Sequence, residues 1–168
     1  MIKNLKLNEI KTLLHILMSF TNLRLTRELA KLKDEQIDGI KILDPNDLRK
    51  WNAIVTGPSD TPYANFQFSM EIKFNDDYPV KPPSVKFISP IFHPNVYRDG
   101  KICVDILQGE WSPAQNVRTI LVSIRSLLMD PNPNSPANRD AAVIFKRDIE
   151  EYNSKVKSFL SKNSNHKV

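Results

Sequence analysis

The chain has 168 residues, 40% apolar and 26% charged, with a formal net charge of +5. That length suffices for one domain with its own core. The single cysteine excludes an internal disulfide, and without a run of about 18 apolar residues nothing reads as a membrane span.

The charge is uneven. Residues 1–33 hold seven basic residues (Lys3, Lys6, Lys11, Arg24, Arg27, Lys31, Lys33) against Glu9 and Glu28, and the rest of the chain balances at 17 of each sign. A basic N-terminal end suits acidic protein partners. Direct nucleic-acid binding is not expected, because no stacking aromatics interleave these cations. A lone thiol also points to a reducing compartment, so the cytoplasm or nucleus is the expected location.

All twelve prolines lie between Pro45 and Pro136. Long helices are therefore allowed only in 1–44, in the gap 114–130 and in 137–168. Residues 2–17 place Ile2, Leu5, Ile10, Leu13 and Leu17 at roughly helical spacing, as a second short helix or an extension outside the domain; Met18 is an alternative start. Leu25, Leu29 and Leu32 predict an amphipathic helix over 23–35, with Asn22 as its N-cap. Strands are expected at 37–43, at 51–56 and at 66–74, where Phe66, Phe68, Met70, Ile72 and Phe74 alternate with polar residues; a shorter one lies around Val85 and Phe87. Short links make these an antiparallel meander. Tyr78-Pro79-Val80-Lys81-Pro82-Pro83 is a stiff extended segment. Val117, Ile120, Leu121, Ile124, Leu127 and Leu128 step by three and four and predict the main core helix. Helical pattern resumes from Asn138 to Leu160, with a bend expected at 146–148.

Several chemistries are missing. Gly39, Gly57, Gly100 and Gly109 form no phosphate loop. His15, His93 and His166 are scattered, so no metal site is expected. A hydrolytic thiol needs a histidine base, and His93, held before Pro94, suits loop geometry better. Cys103 can still carry an acyl group that arrives activated, because exchange between two thiols is nearly balanced in energy. Asn95, eight positions upstream, is the kind of neutral donor that steadies an oxyanion.

His93-Pro94-Asn95, Gly100-Lys101-Ile102-Cys103-Val104-Asp105-Ile106-Leu107 and Trp111-Ser112-Pro113 closely resemble the core of ubiquitin-conjugating enzymes. Trp51, Gly57-Pro58, Thr61-Pro62-Tyr63 and the 78–83 segment do so as well. Phe92 to Tyr97 and Pro131 to Asn138 look most like the subgroup that attaches single ubiquitins to histones and replication clamps. The resemblance implies an α+β fold: an N-terminal helix, a four-stranded antiparallel meander, a central helix and C-terminal helices. It implies an extension at 1–21, a catalytic core at 22–160 and a flexible tail at 161–168, in a monomer.

The family's mechanism implies that an activating enzyme passes ubiquitin to Cys103 as a thioester and that a substrate lysine, brought by a ligase, attacks it. No cofactor is implied. Asn95 falls at the oxyanion, and Asn132 and Ser135 at the mouth for the acceptor lysine. Arg24 and Arg27 match the face that meets the activating enzyme. With Val80, Lys81, Ser112, Pro113 and Ala114 they also match the surface for RING-type ligases. Ser135 stands where many members carry an acid, and Ser135-Pro136 is a point where phosphorylation would restore the charge. Asn65 replaces a frequent glycine and is expected in the left-handed region. Val80 replaces a frequent aromatic. Two other readings remain at this level: an inactive ubiquitin-binding adaptor of the same fold, and conjugation of another small modifier.

Overall fold

The computed structural model describes residues 7–163. Helix α1 (Leu7–Asp34) leads into strands β1 (Ile40–Ile42), β2 (Lys50–Thr56), β3 (Gln67–Lys73) and β4 (Ser84–Phe87). A 3-10 turn (Asp105–Leu107) follows, then helices α2 (Val117–Met129), α3 (Arg139–Arg147) and α4 (Ile149–Asn163). The strands form one antiparallel sheet in the order β1-β2-β3-β4. The α+β arrangement is the one expected.

Alternation decides which face is buried. Trp51, Ala53 and Val55 of β2 pair in register with Ile72, Met70 and Phe68 of β3, and all six are buried. They pack with Val117, Ile120, Leu121, Ile124 and Leu128, the inner stripe of α2. Each of the Val, Leu, Ile, Phe and Met side chains here contributes about 2 kcal/mol through the apolar area removed from water. On the other face of β3, Glu71 is held among Lys50, Lys73 and Lys86 at 3.0, 3.0 and 3.6 Å.

The helices begin where polar side chains satisfy the open amides of the first turn. Asn116 caps α2 by accepting from the Thr119 amide, and the Thr119 hydroxyl accepts from the Asn116 amide in return. Asn138 caps α3 through the Ala141 amide. The expected bend is the break at Asp148, whose Oδ1 accepts from the amides of Glu150 and Glu151 to start α4.

The first helix departs from expectation. Asn22 is not a cap: it lies inside α1, where its carbonyl accepts from the Thr26 hydroxyl at 2.9 Å. With no proline or glycine upstream, nothing stops the helix from running back to Leu7. Lys11, Thr12, Ile16 and Phe20 of this upstream part are exposed; among the described side chains, burial begins at Thr21 and Leu25. The first strand is also shorter than its sequence pattern, because Gly39 turns the chain at a φ of 69°. Asn65 does adopt positive φ, 67°.

Candidate active site

The segment carrying Cys103 is built from backbone contacts. Gly100 accepts from the Phe87 amide at 2.9 Å, which ties the turn after Tyr97 to the end of β4. Only glycine fits there: its φ is 85°, and a Cβ would lie 2.0 Å from the Phe87 carbonyl oxygen. Val96 bridges to Ile102, and the Cys103 amide donates to the Asn95 carbonyl at 2.8 Å. Cys103 is thus set beside the His93-Pro94-Asn95 run, with its side chain half-buried.

His93 is fully buried, and both ring nitrogens are engaged. Nε2 lies 2.9 Å from the Leu127 carbonyl, which can only accept, so Nε2 carries the proton. Nδ1 then accepts from the Asn95 amide at 2.9 Å. Burial holds the imidazole down to about 4, well below its usual value of 6.5, so it is neutral. It joins the loop to α2 and has no nitrogen left for proton transfer.

The Asn95 carboxamide is also buried. Its Nδ2 donates to the carbonyls of Asn132 and Ser135 at 2.7 and 3.2 Å, and its Oδ1 accepts from the Asn132 amide at 2.8 Å. The carboxamide therefore holds the 132–135 segment. The Ala137 and Asn138 amides add to this by donating to the Pro94 carbonyl. The side chains of Asn132 and Ser135 are exposed, and the Ser135 hydroxyl lies 3.8 Å from the Cys103 sulfur.

A second polar group at the sulfur has no counterpart in the sequence reading. Gln108 Nε2 points at Cys103 Sγ from 3.8 Å. The 3-10 turn 105–107 folds the chain back and brings residue 108 to residue 103. The one signal in the sequence was an amide five positions after a lone thiol.

The proposed partner surface is held by a buried hub that the sequence reading also missed. Glu28 accepts from Arg24 Nε, from the Tyr78 hydroxyl at 2.6 Å and from the Val117 amide at 2.9 Å. Arg24 further donates to the carbonyls of Pro113 and Gln115 at 3.1 and 2.6 Å. Burial, then the Glu28 carboxylate, pushes the Tyr78 hydroxyl far above the usual range. Trp111 donates to the Pro79 carbonyl at 2.9 Å and joins the two loops. Lys81, Ser112, Pro113, Ala114 and Arg27 are exposed, and Val80 is 73% exposed. The structure therefore separates two residues that the sequence reading grouped: Arg24 ties α1 to the 112–115 loop, while Arg27 faces outward.

A proline-rich segment joined to a thiol loop, beside a histidine that only holds shape, sets this chain among known proteins. The family model described as ubiquitin-conjugating enzyme matches residues 24–160. The chain is 46% identical over 140 residues to proteins called ubiquitin-conjugating enzyme E2 2 from Candida glabrata, Eremothecium gossypii and Saccharomyces cerevisiae. These alignments cover 83% of this chain and 84%, 82% and 81% of the three relatives. The chain belongs to the ubiquitin-conjugating enzyme family. It is a ubiquitin transferase. The match leaves the first 23 residues outside, including the upstream turns of α1. Among the described residues of this ubiquitin-conjugating enzyme, no helix is long and apolar enough to cross a membrane.

Proposed function

We propose that Cys103 is the residue that carries ubiquitin. The observation behind this reading is the half-buried lone thiol facing the 132–135 segment, with a hydroxyl and an amide directed at it. The Cys103 thiolate attacks the thioester presented by an activating enzyme, and the activating enzyme's thiolate leaves. A substrate lysine amine then attacks the carbonyl carbon of the new thioester. The C=O electron pair moves onto oxygen; collapse expels the Cys103 thiolate, an isopeptide bond forms and the amine proton goes to solvent. The lysine must be neutral to attack, so partial desolvation beside Asn132 and Ser135 favours the step.

Asn95 serves first as the support of that gate. It donates to the oxyanion once its longer bond, 3.2 Å to the Ser135 carbonyl, is given up. Arg27, Val80, Lys81, Ser112, Pro113 and Ala114 form the exposed surface for a RING-type ligase. Arg24 shapes it by holding the 112–115 loop. Activating enzyme and ligase share α1 and so compete. A thiol carrier of this kind works in the reducing cytoplasm or nucleus.

The test is Cys103→Ser with activating enzyme, nucleotide and ubiquitin. The wild-type chain should give a reducer-sensitive adduct and the variant a reducer-resistant ester. A reducer-sensitive adduct that survives in the variant would overturn the assignment. Substituting another small modifier for ubiquitin, with its own activating enzyme, decides which modifier the chain accepts.

A further inference from the structure

Asn95 and Gln108 are both amides near the sulfur, but they are differently committed. Both donor hydrogens of the Asn95 carboxamide are already held by the carbonyls of Asn132 and Ser135. Gln108 directs its amide nitrogen at Cys103 Sγ itself. We infer that Gln108 is a catalytic residue, a second side-chain donor that meets the oxyanion, ahead of Asn95, when the thioester on Cys103 is attacked.

This rests on Cys103 being the carrier. In the tetrahedral intermediate the reacting carbon is bonded to Sγ, and its oxygen is one bond further out. A donor 3.8 Å from the sulfur in the uncharged protein can reach that oxygen with a rotation of a long side chain. The Asn95 carboxamide must first break a contact, whereas Gln108 need only turn. As Nε2 donates to the developing O⁻, the C=O electron pair settles on oxygen. When the intermediate collapses, the pair returns to form the carbonyl and the Sγ–C bond breaks toward sulfur. Gln108 gains and loses no proton. The position is built for this: the 3-10 turn fixes the backbone of residue 108, while its side chain stays exposed and able to follow the reacting oxygen.

The experiment uses the full chain charged with ubiquitin, followed in single turnover. Gln108→Ala should reach the same end-point of loading, which the thiol-exchange equilibrium sets and which shows that Cys103 still works as a carrier, while the rate of loading falls with the loss of the donor. Its discharge to free lysine should then slow by about 10- to 100-fold at saturating lysine, with little change in the lysine concentration for half-maximal rate. One oxyanion donor is worth about 10²- to 10³-fold in a dry site, and water partly replaces an exposed one. Hydrolysis of the thioester passes through the same oxyanion, so it should slow as well. Gln108→Glu should be slower than Gln108→Ala, because a carboxylate repels the developing charge. The inference is overturned if Gln108→Ala slows discharge by less than about 5-fold, or slows aminolysis but not hydrolysis. A glutamate variant faster than the alanine variant overturns it too, since that would place residue 108 at the amine. Failure to form any adduct on Cys103 in the wild-type chain is a separate result, and refutes the carrier assignment instead.

Discussion

At the scale of single residues, His93 shows how a titratable group is turned into a fixed joint. Its neutral ring donates to Leu127 and accepts from the Asn95 amide; a second proton on Nδ1 would set donor against donor. The folded value of about 4 lies below the ordinary 6.5. Between those values the unfolded chain binds a proton that the folded chain refuses. The stability contribution is whole above pH 6.5 and is lost as pH falls toward 4. That loss is on the order of 3 kcal/mol. Glu71, which Lys73 and then Lys50 hold at about 2, loses its own contribution only from 4.5 downward, so the upper part of the window belongs to His93. Urea unfolding from pH 7 to 4.5 should show this slope in the wild-type protein and not in His93→Gln; equal slopes would refute it. The sequence already pointed to a structural histidine, because the following proline stiffens the turn. It did not reveal Gln108, since a residue five positions away meets the thiol only if the intervening turn is 3-10.

Among the elements, α1, the 78–83 segment and the start of α2 are joined by one carboxylate. Glu28 takes donors from all three, and Arg24 extends the connection to the 112–115 loop. Removing such an acceptor leaves buried donors without partners, which costs more than the bonds themselves contribute. Glu28→Ala should lower unfolding free energy by about 3 kcal/mol; a loss below about 1 kcal/mol in denaturant titration would contradict the hub. The other end of the molecule is joined similarly. Tyr63 donates its hydroxyl hydrogen to the Phe92 carbonyl at 2.8 Å, so Tyr152 of α4 must be the donor in the 2.5 Å bond between the two phenols. The elements themselves were legible from period-two and period-3.6 patterns. Their caps were less so: an Asn sits before α2 and α3 as a true cap, and another Asn, Asn22, sits inside α1 without capping. Asparagine is compatible with both places, and the difference lies in whether the backbone on its N-terminal side is already helical.

Over the whole molecule, the described side chains are buried only from Thr21 onward. The Thr21 hydroxyl donates to the Tyr78 carbonyl at 2.8 Å, and Leu25 is fully buried. The described side chains before it are exposed, Phe20 at 65%. Removing residues 1–20 should therefore lower the melting temperature by less than about 4 °C, the shift expected for about 1 kcal/mol in a domain of this size, and leave adduct formation on Cys103 intact. A larger fall in calorimetry would show that the upstream turns of α1 are part of the folding unit.

Sequence alone determined the layout of helices and strands, because proline bars helices from the middle of the chain and apolar periodicity shows which faces must be buried. It also carried, in the His93-Pro94-Asn95 and Gly100 to Leu107 runs, the resemblance from which the proposed carrier role of Cys103 comes. Only the tertiary structure decided which amide faces that thiol and which of two arginines is free to face outward. Each of these depends on carbonyls and carboxylates supplied by segments distant along the chain. A hydrogen-bond donor goes where such acceptors are placed, and the acceptors are placed only when the chain has folded.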